Sequence, residues 1–140
     1  MKILLAVDGS PFTKKMLAYL TTHPEMFAGD NEFTVLSVQA ALPPRARAAV
    51  GKEAVDAYYV EESAKVLEPV LKFLSRHDLK AKGMAKVGSA GELIAKAADS
   101  GGFDLVMMGS HGHSALGNLV MGSVATKVLA QCKAPVLLVR

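Results

Sequence analysis

The sequence predicts an α/β protein: a single domain over residues 1–140, built on a doubly wound five-stranded parallel sheet in the order 3-2-1-4-5 with helices on both faces. Three observations carry this. The runs "KILLAV" (2–7), "FTVLSV" (33–38), "FDLVMMG" (103–109) and "APVLLVR" (134–140) are nearly continuous in apolar residues, as in strands covered on both faces. Segments of helical period separate them, and alternation of strand and helix implies a parallel sheet with right-handed crossovers. The chain has 140 residues, 51% hydrophobic and 21% charged, enough for one full core, too short for two ordinary domains and too apolar for extended disorder.

Taken in order, the first strand ends at "DGSP", and "SPFTKKMLAYLTTH" follows with Phe12, Met16, Leu17 and Leu20 on one helical face. Ser10 and Pro11 supply an N-cap and a first-turn proline. After the second strand, residues 39–52 carry two adjacent prolines and read as a surface loop. From Glu53 to Arg76, Val55, Tyr58, Tyr59, Ala64, Val66, Leu67, Val70, Leu71 and Leu74 mark a long helix, which Pro69 should kink or divide. "LKAKGMAKV" is a third, more polar strand that suits a sheet edge, and "SAGELIAKAAD" a third helix. "SVATKVLAQC" is the fourth helix and "PVLLVR" the fifth strand, an apolar outer edge that invites pairing unless helix 4 covers it.

Composition narrows the function. The formal charge is +3 and the pI about 9.0, but the basic residues are scattered, so no nucleic-acid surface is expected. A single cysteine, Cys132, excludes an internal disulfide; its apolar helical setting suggests a small buried residue, not a reactive thiol. "MKILLAVDGSPF" is cut by Asp8 too early for a signal peptide, and nothing approaches the roughly 20 apolar residues of a membrane span, so a cytoplasmic location and no membrane contact are expected.

In the expected strand order the crossovers after strands 1 and 4 leave on opposite faces, opening a crevice at their carboxyl ends, where ligands bind in such sheets. Strand 1 ends at Asp8 and strand 4 at Gly109, where "GSHGHSALGNLVMGS" begins. Its spacing is Gly109-x2-Gly112-x9-Gly122-Ser123. Glycines there permit positive φ and remove the Cβ, so that N–H groups can turn inward on an anion, and Ser123 opens a helix whose free N–H groups favour phosphate. "GNLVMGSV" imitates a Walker loop, but Ser123 stands where the lysine belongs, and no G-x-G-x-x-G follows strand 1.

His111 and His113 lack a third metal ligand nearby, so His111 enters only as a phosphate neighbour, and Lys127 reads as a solvated side chain. Asp8, at the end of strand 1, is a ligand or metal residue as well as a turn former. Hydrolysis of ATP would need a positioned base and a cation at the γ-phosphate; the loop offers histidines but no Lys or Arg.

At "AVDGS", "MGSHGHSALGNLVMGSVATKVL" and "APVLLVR" the sequence resembles the universal stress protein family, specifically its ATP-binding branch, over the whole chain. The resemblance implies a Rossmann-like, adenine-nucleotide-binding fold and ATP as ligand, with Mg or Mn. Asp8 would then lie by the ribose and phosphates, directly or through the nucleotide-bound divalent ion, and the backbone of Val38 against the adenine. Ala6 and Val7 would stand at the adenine cleft, and Met108 and Gly109 on the ribose side. Gly112, Gly122, Ser123 and Val124 would meet the phosphates, with His111 beside them.

It further implies a homodimer through the C-terminal strand, an unidentified protein partner, and a nucleotide-dependent regulator of stress response with little or no hydrolysis. Two alternatives stay open. One is a metal-dependent ATPase or nucleotidyl transferase of slow turnover, and the other a nucleotide-free dimeric protein-interaction module. The role of the 39–52 loop over the pocket is open too.

Overall fold

In the computed structural model, residues 1–113 and 120–140 are described. The elements run β1 (Lys2–Val7), α1 (Pro11–Thr22), α2 (Pro24–Phe27), β2 (Glu32–Gln39), α3 (Pro44–Val50), α4 (Lys52–Arg76), β3 (Ala81–Val87), α5 (Ala90–Ser100), β4 (Leu105–Gly109), α6 (Ser123–Gln131) and β5 (Val136–Val139). The strands form one parallel sheet in the order β3-β2-β1-β4-β5, as the sequence predicts.

The side-chain alternation of each central strand divides two cores. Ile3, Leu5 and Val7 of β1 join Phe33, Val35 and Met107 beneath α1 and α4, whose Met16, Leu17, Leu20, Leu67, Val70 and Leu74 are buried. Leu4 and Ala6 join Leu36, Val106 and Met108 on the other face, against Ile94, Ala97 and Ala98 of α5 and Ala125 and Val128 of α6. Both faces are filled, which is why the runs are aliphatic without alternation. Ala6 pairs with Leu36 on one side and Met108 on the other, at the carboxyl edge.

Helix α1 starts as its sequence dictates: Pro11 is its first residue and the Ser10 hydroxyl accepts a hydrogen bond from Thr13 N at 3.4 Å. Two helical expectations need correction. Pro69 does not divide α4, which runs unbroken for 25 residues. Pro69 is exposed, so water can serve the carbonyl that loses its donor, and Leu67 and Val70 anchor the chain on either side of it. The 39–52 segment is not only loop: Pro44 opens the helix α3, which buries no side chain and stops at Gly51, φ 85°. Leu42 N donates to the Tyr59 hydroxyl at 2.9 Å, tying this segment to α4.

A 25-residue helix is about 37 Å long, whereas the eight residues of β2 extend about 26 Å. The first half of α4 therefore runs past the carboxyl edge of the sheet, leaving Tyr58 exposed although it continues the apolar pattern, and Val60 exposed beside it. Cys132 is only half-buried, its Sγ 3.7 Å from Asp99 Oδ1. Burial pushes its thiol pKa up and the Asp99 carboxylate adds to the shift, which disfavours the reactive thiolate. At one edge β3 presents Lys82 and Lys86; at the other, β5 is half-buried along its whole length. Among the described residues no helix is long and apolar enough to cross a membrane.

Candidate functional site

A cavity of about 360 Å³ opens at the carboxyl ends of β1 and β4, where the winding of the sheet reverses. Ala6, Val7, Asp8, Val38, Met108, Gly109, His111, Gly112, Gly122, Ser123 and Val124 all line it. Thr13, Ala90, Ile94 and Ala125, which the sequence does not single out, and His113, which it offers only as a metal ligand, complete the wall. Ala6, Ile94, Met108 and Ala125 belong to the core between the sheet and α5/α6, so one end of the cavity is an apolar slot. The other end is polar, gathered around Asp8, Thr13, the glycine segment and the start of α6.

Asp8 is held by the turn it introduces. Its Oδ1 accepts from Ser10 N and from the Thr13 hydroxyl, each at 2.9 Å, and its own N–H donates back to Thr13 Oγ1 at 3.1 Å. Gly9 makes the turn possible with φ +75°, a conformation costly for any residue with a Cβ. The result is a carboxylate with one oxygen fixed and Oδ2 directed toward Gly112. Thr13 is buried and conducts this arrangement, a role that a threonine in the first turn of an amphipathic helix does not announce.

The motif glycines act differently from the sequence expectation of positive φ: Gly109, Gly112 and Gly122 all lie outside that region. What they supply is closeness. A Cβ on Gly112 would lie 2.7 Å from Asp8 Oδ2, and one on Gly109 would lie 2.5 Å from Phe12 Cβ. At Gly122 it would meet His111 Cα at 3.2 Å and Ser110 O at 3.3 Å. Gly122 N donates to Ser110 O at 2.7 Å, closing the segment on itself, and Gly122 caps α6 with φ −74° and ψ 164°. The N–H groups of the first turn of α6, from Ser123 onward, which have no partner within the helix, thus begin at the cavity wall, with the positive end of the helix dipole. The Walker-like spacing that starts at Gly117 lies outside the described residues.

The two histidines are held by different groups. His111 Nδ1 is hydrogen-bonded to Ser110 Oγ at 2.8 Å and its ring lies 4.8 Å from that of Phe12. His113 Nε2 donates to the Asp8 carbonyl oxygen at 2.6 Å. Lys127 turns away from the cavity to Glu92 of α5, 3.1 Å away, with its stem over Gly91. It is partly exposed, in keeping with its reading as a solvated side chain.

Comparison with known proteins agrees with this geometry. The model of the universal stress protein family matches residues 1–140. The chain is 33% identical over 139 residues to the universal stress protein Slr1230 of Synechocystis, a match of 99% of this chain and 42% of that protein. It is 36% identical over 80 residues to universal stress protein MJ0577 of Methanocaldococcus jannaschii, 57% of this chain and 49% of that protein. The matches thus span less than half the length of these relatives.

The solved structure of MJ0577 superposes with a TM-score of 0.83 at 28% identity, covering 99% of this chain and 94% of that one. Two more distant structures of the same fold hold nucleotides. One is an Arabidopsis thaliana family member with AMP bound (TM-score 0.69, 14% identity, 99% and 90% covered) and the other an Archaeoglobus fulgidus universal stress protein in complex with dAMP (0.67, 19%, 100% and 98%). With its sheet order, its cavity at the switch point and a family match from end to end, the chain belongs to the universal stress protein family.

Proposed function

We propose that the cavity binds an adenine nucleotide, ATP with Mg or Mn as the working form, and that the protein is a nucleotide-dependent regulator of stress response with little or no hydrolysis. The observation that carries the reading is the joining, in one cavity, of an apolar slot to a polar end that has both helix N–H donors and a carboxylate. A purine ring fits between Ala6, Val38, Ile94 and Met108, and phosphates fit the start of α6, where the dipole and free N–H groups favour anions. Asp8 Oδ2 would hold the divalent ion, which when bound neutralises phosphate charge. The AMP and dAMP carried by the two distant family members support the base assignment. No Lys or Arg is among the described lining residues, and none occurs between Gly109 and Ser123, so the charge that builds up in γ-phosphoryl transfer has no side-chain cation there.

Mass spectrometry of protein purified without added nucleotide is expected to find ATP, ADP or AMP in the complex, and calorimetry of stripped protein to show saturable heat with ATP. No heat with any of the three would sink the reading. Steady phosphate release abolished by Asp8→Ala would favour the enzymatic alternative instead.

We also infer a homodimer through β5. Its partly exposed Val136, Leu137, Leu138 and Val139 form an apolar sheet edge without the lysines that guard β3. Light scattering is expected to give twice the chain mass of 14.7 kDa, and the mass of one chain at micromolar concentration would exclude this pairing.

A further inference from the structure

We propose that His113 is a positioning residue that clasps the glycine segment to the end of β1 and sets how fast the cavity releases nucleotide, an inference that rests on the nucleotide reading above. Its Nε2–H reaches the Asp8 carbonyl across 105 positions of sequence, at 2.6 Å, and the residue lines the cavity. The two residues it joins are the ones that need fixing. Asp8 Oδ2 faces Gly112 so closely that a Cβ there would sit 2.7 Å from it, and both residues line the cavity.

Around the clasp, the Asp8 side chain is already committed to Ser10 and Thr13, and His111 to Ser110. His113 ties the residue next to Gly112 to the end of β1, and cutting that hydrogen bond lets Gly112 withdraw from Asp8. One hydrogen bond from an exposed side chain is a small force, so the effect falls on release and not on folding.

The test uses release of ATP labelled on the ribose with N-methylanthraniloyl, chased with excess unlabelled ATP in a stopped-flow instrument. His113→Ala is expected to release the probe roughly 3- to 10-fold faster, with an unchanged urea midpoint. His113→Gln, whose amide nitrogen reaches where Nε2 stands, is expected to restore the slow rate, and His113→Asn, which mimics Nδ1, is not.

A second arm needs no nucleotide: amide hydrogen exchange of the stripped protein is expected to quicken in peptides spanning Asp8 and Gly112 in His113→Ala and to recover in His113→Gln. Equal release and equal exchange in wild type and His113→Ala would overturn the clasp, as would His113→Gln behaving like His113→Ala. If wild-type protein binds no labelled ATP, the nucleotide reading fails on its own, and the exchange arm still decides whether the clasp exists.

Discussion

Gly112→Val is expected to weaken ATP binding by roughly 100-fold or more, about 3 kcal/mol, while leaving the protein folded. The new Cβ would lie 2.7 Å from Asp8 Oδ2, and the carboxylate cannot swing aside cheaply because Ser10 N and the Thr13 hydroxyl hold its other oxygen. The glycine segment must back away, and it carries His111 and the entry to Gly122 with it. Gly112 has no positive φ to lose and is only half-buried, so urea unfolding is expected to shift by less than about 1 kcal/mol. Titration calorimetry with ATP on the folded variant decides the matter: an affinity equal to wild type would place the phosphates away from Gly112.

Gly109→Val is expected to do the opposite, removing about 3 kcal/mol of stability before any question of ligand arises. Its Cβ would lie 2.5 Å from Phe12 Cβ and 3.2 Å from the Phe12 backbone carbonyl. A side chain at fault can rotate, but backbone cannot, so α1 itself would have to move off β4. Met16, Leu17 and Leu20 hold α1 in place and are buried at 0%, 6% and 2% exposure, so that movement opens the core. The measurement is the urea midpoint at unchanged slope. A variant as stable as wild type would show that the close approach of Gly109 to Phe12 is not fixed by packing. The two substitutions thus separate glycines that share one motif: Gly112 makes room at the cavity, and Gly109 makes room for a helix.

The parts of the fold that were legible in the sequence are those written in burial. "KILLAV" and "FTVLSV" read as central strands because both their faces are filled, and the polar third strand reads as an edge because Lys82 lies in the open and Lys86 is only half-buried. The place of the cavity, between the ends of β1 at Asp8 and β4 at Gly109, followed from strand order, and the further lining residues from the family resemblance. Periodicity could not show where the sheet stops beneath α4, so Tyr58 read as part of its apolar face, and Pro69 looked like a kink or break because its exposure could not be seen. Thr13 escaped, and His113 was weighed only as a metal ligand, because their hydrogen bonds to Asp8, five and 105 positions away, are contacts that no local pattern encodes.

The pairing of Ala6 between Leu36 and Met108 gives the register of β1 a meaning beyond packing. A slip of one residue would bring Leu5 or Val7 to that place and turn a branched aliphatic side chain into the slot that Ala6 keeps open. A chain misthreaded in this way could still bury its aliphatic residues, since β1 is apolar on both faces, and stability alone would be a poor witness to the error. The cavity is the more sensitive gauge, because its capacity reports whether the central strand has found its place.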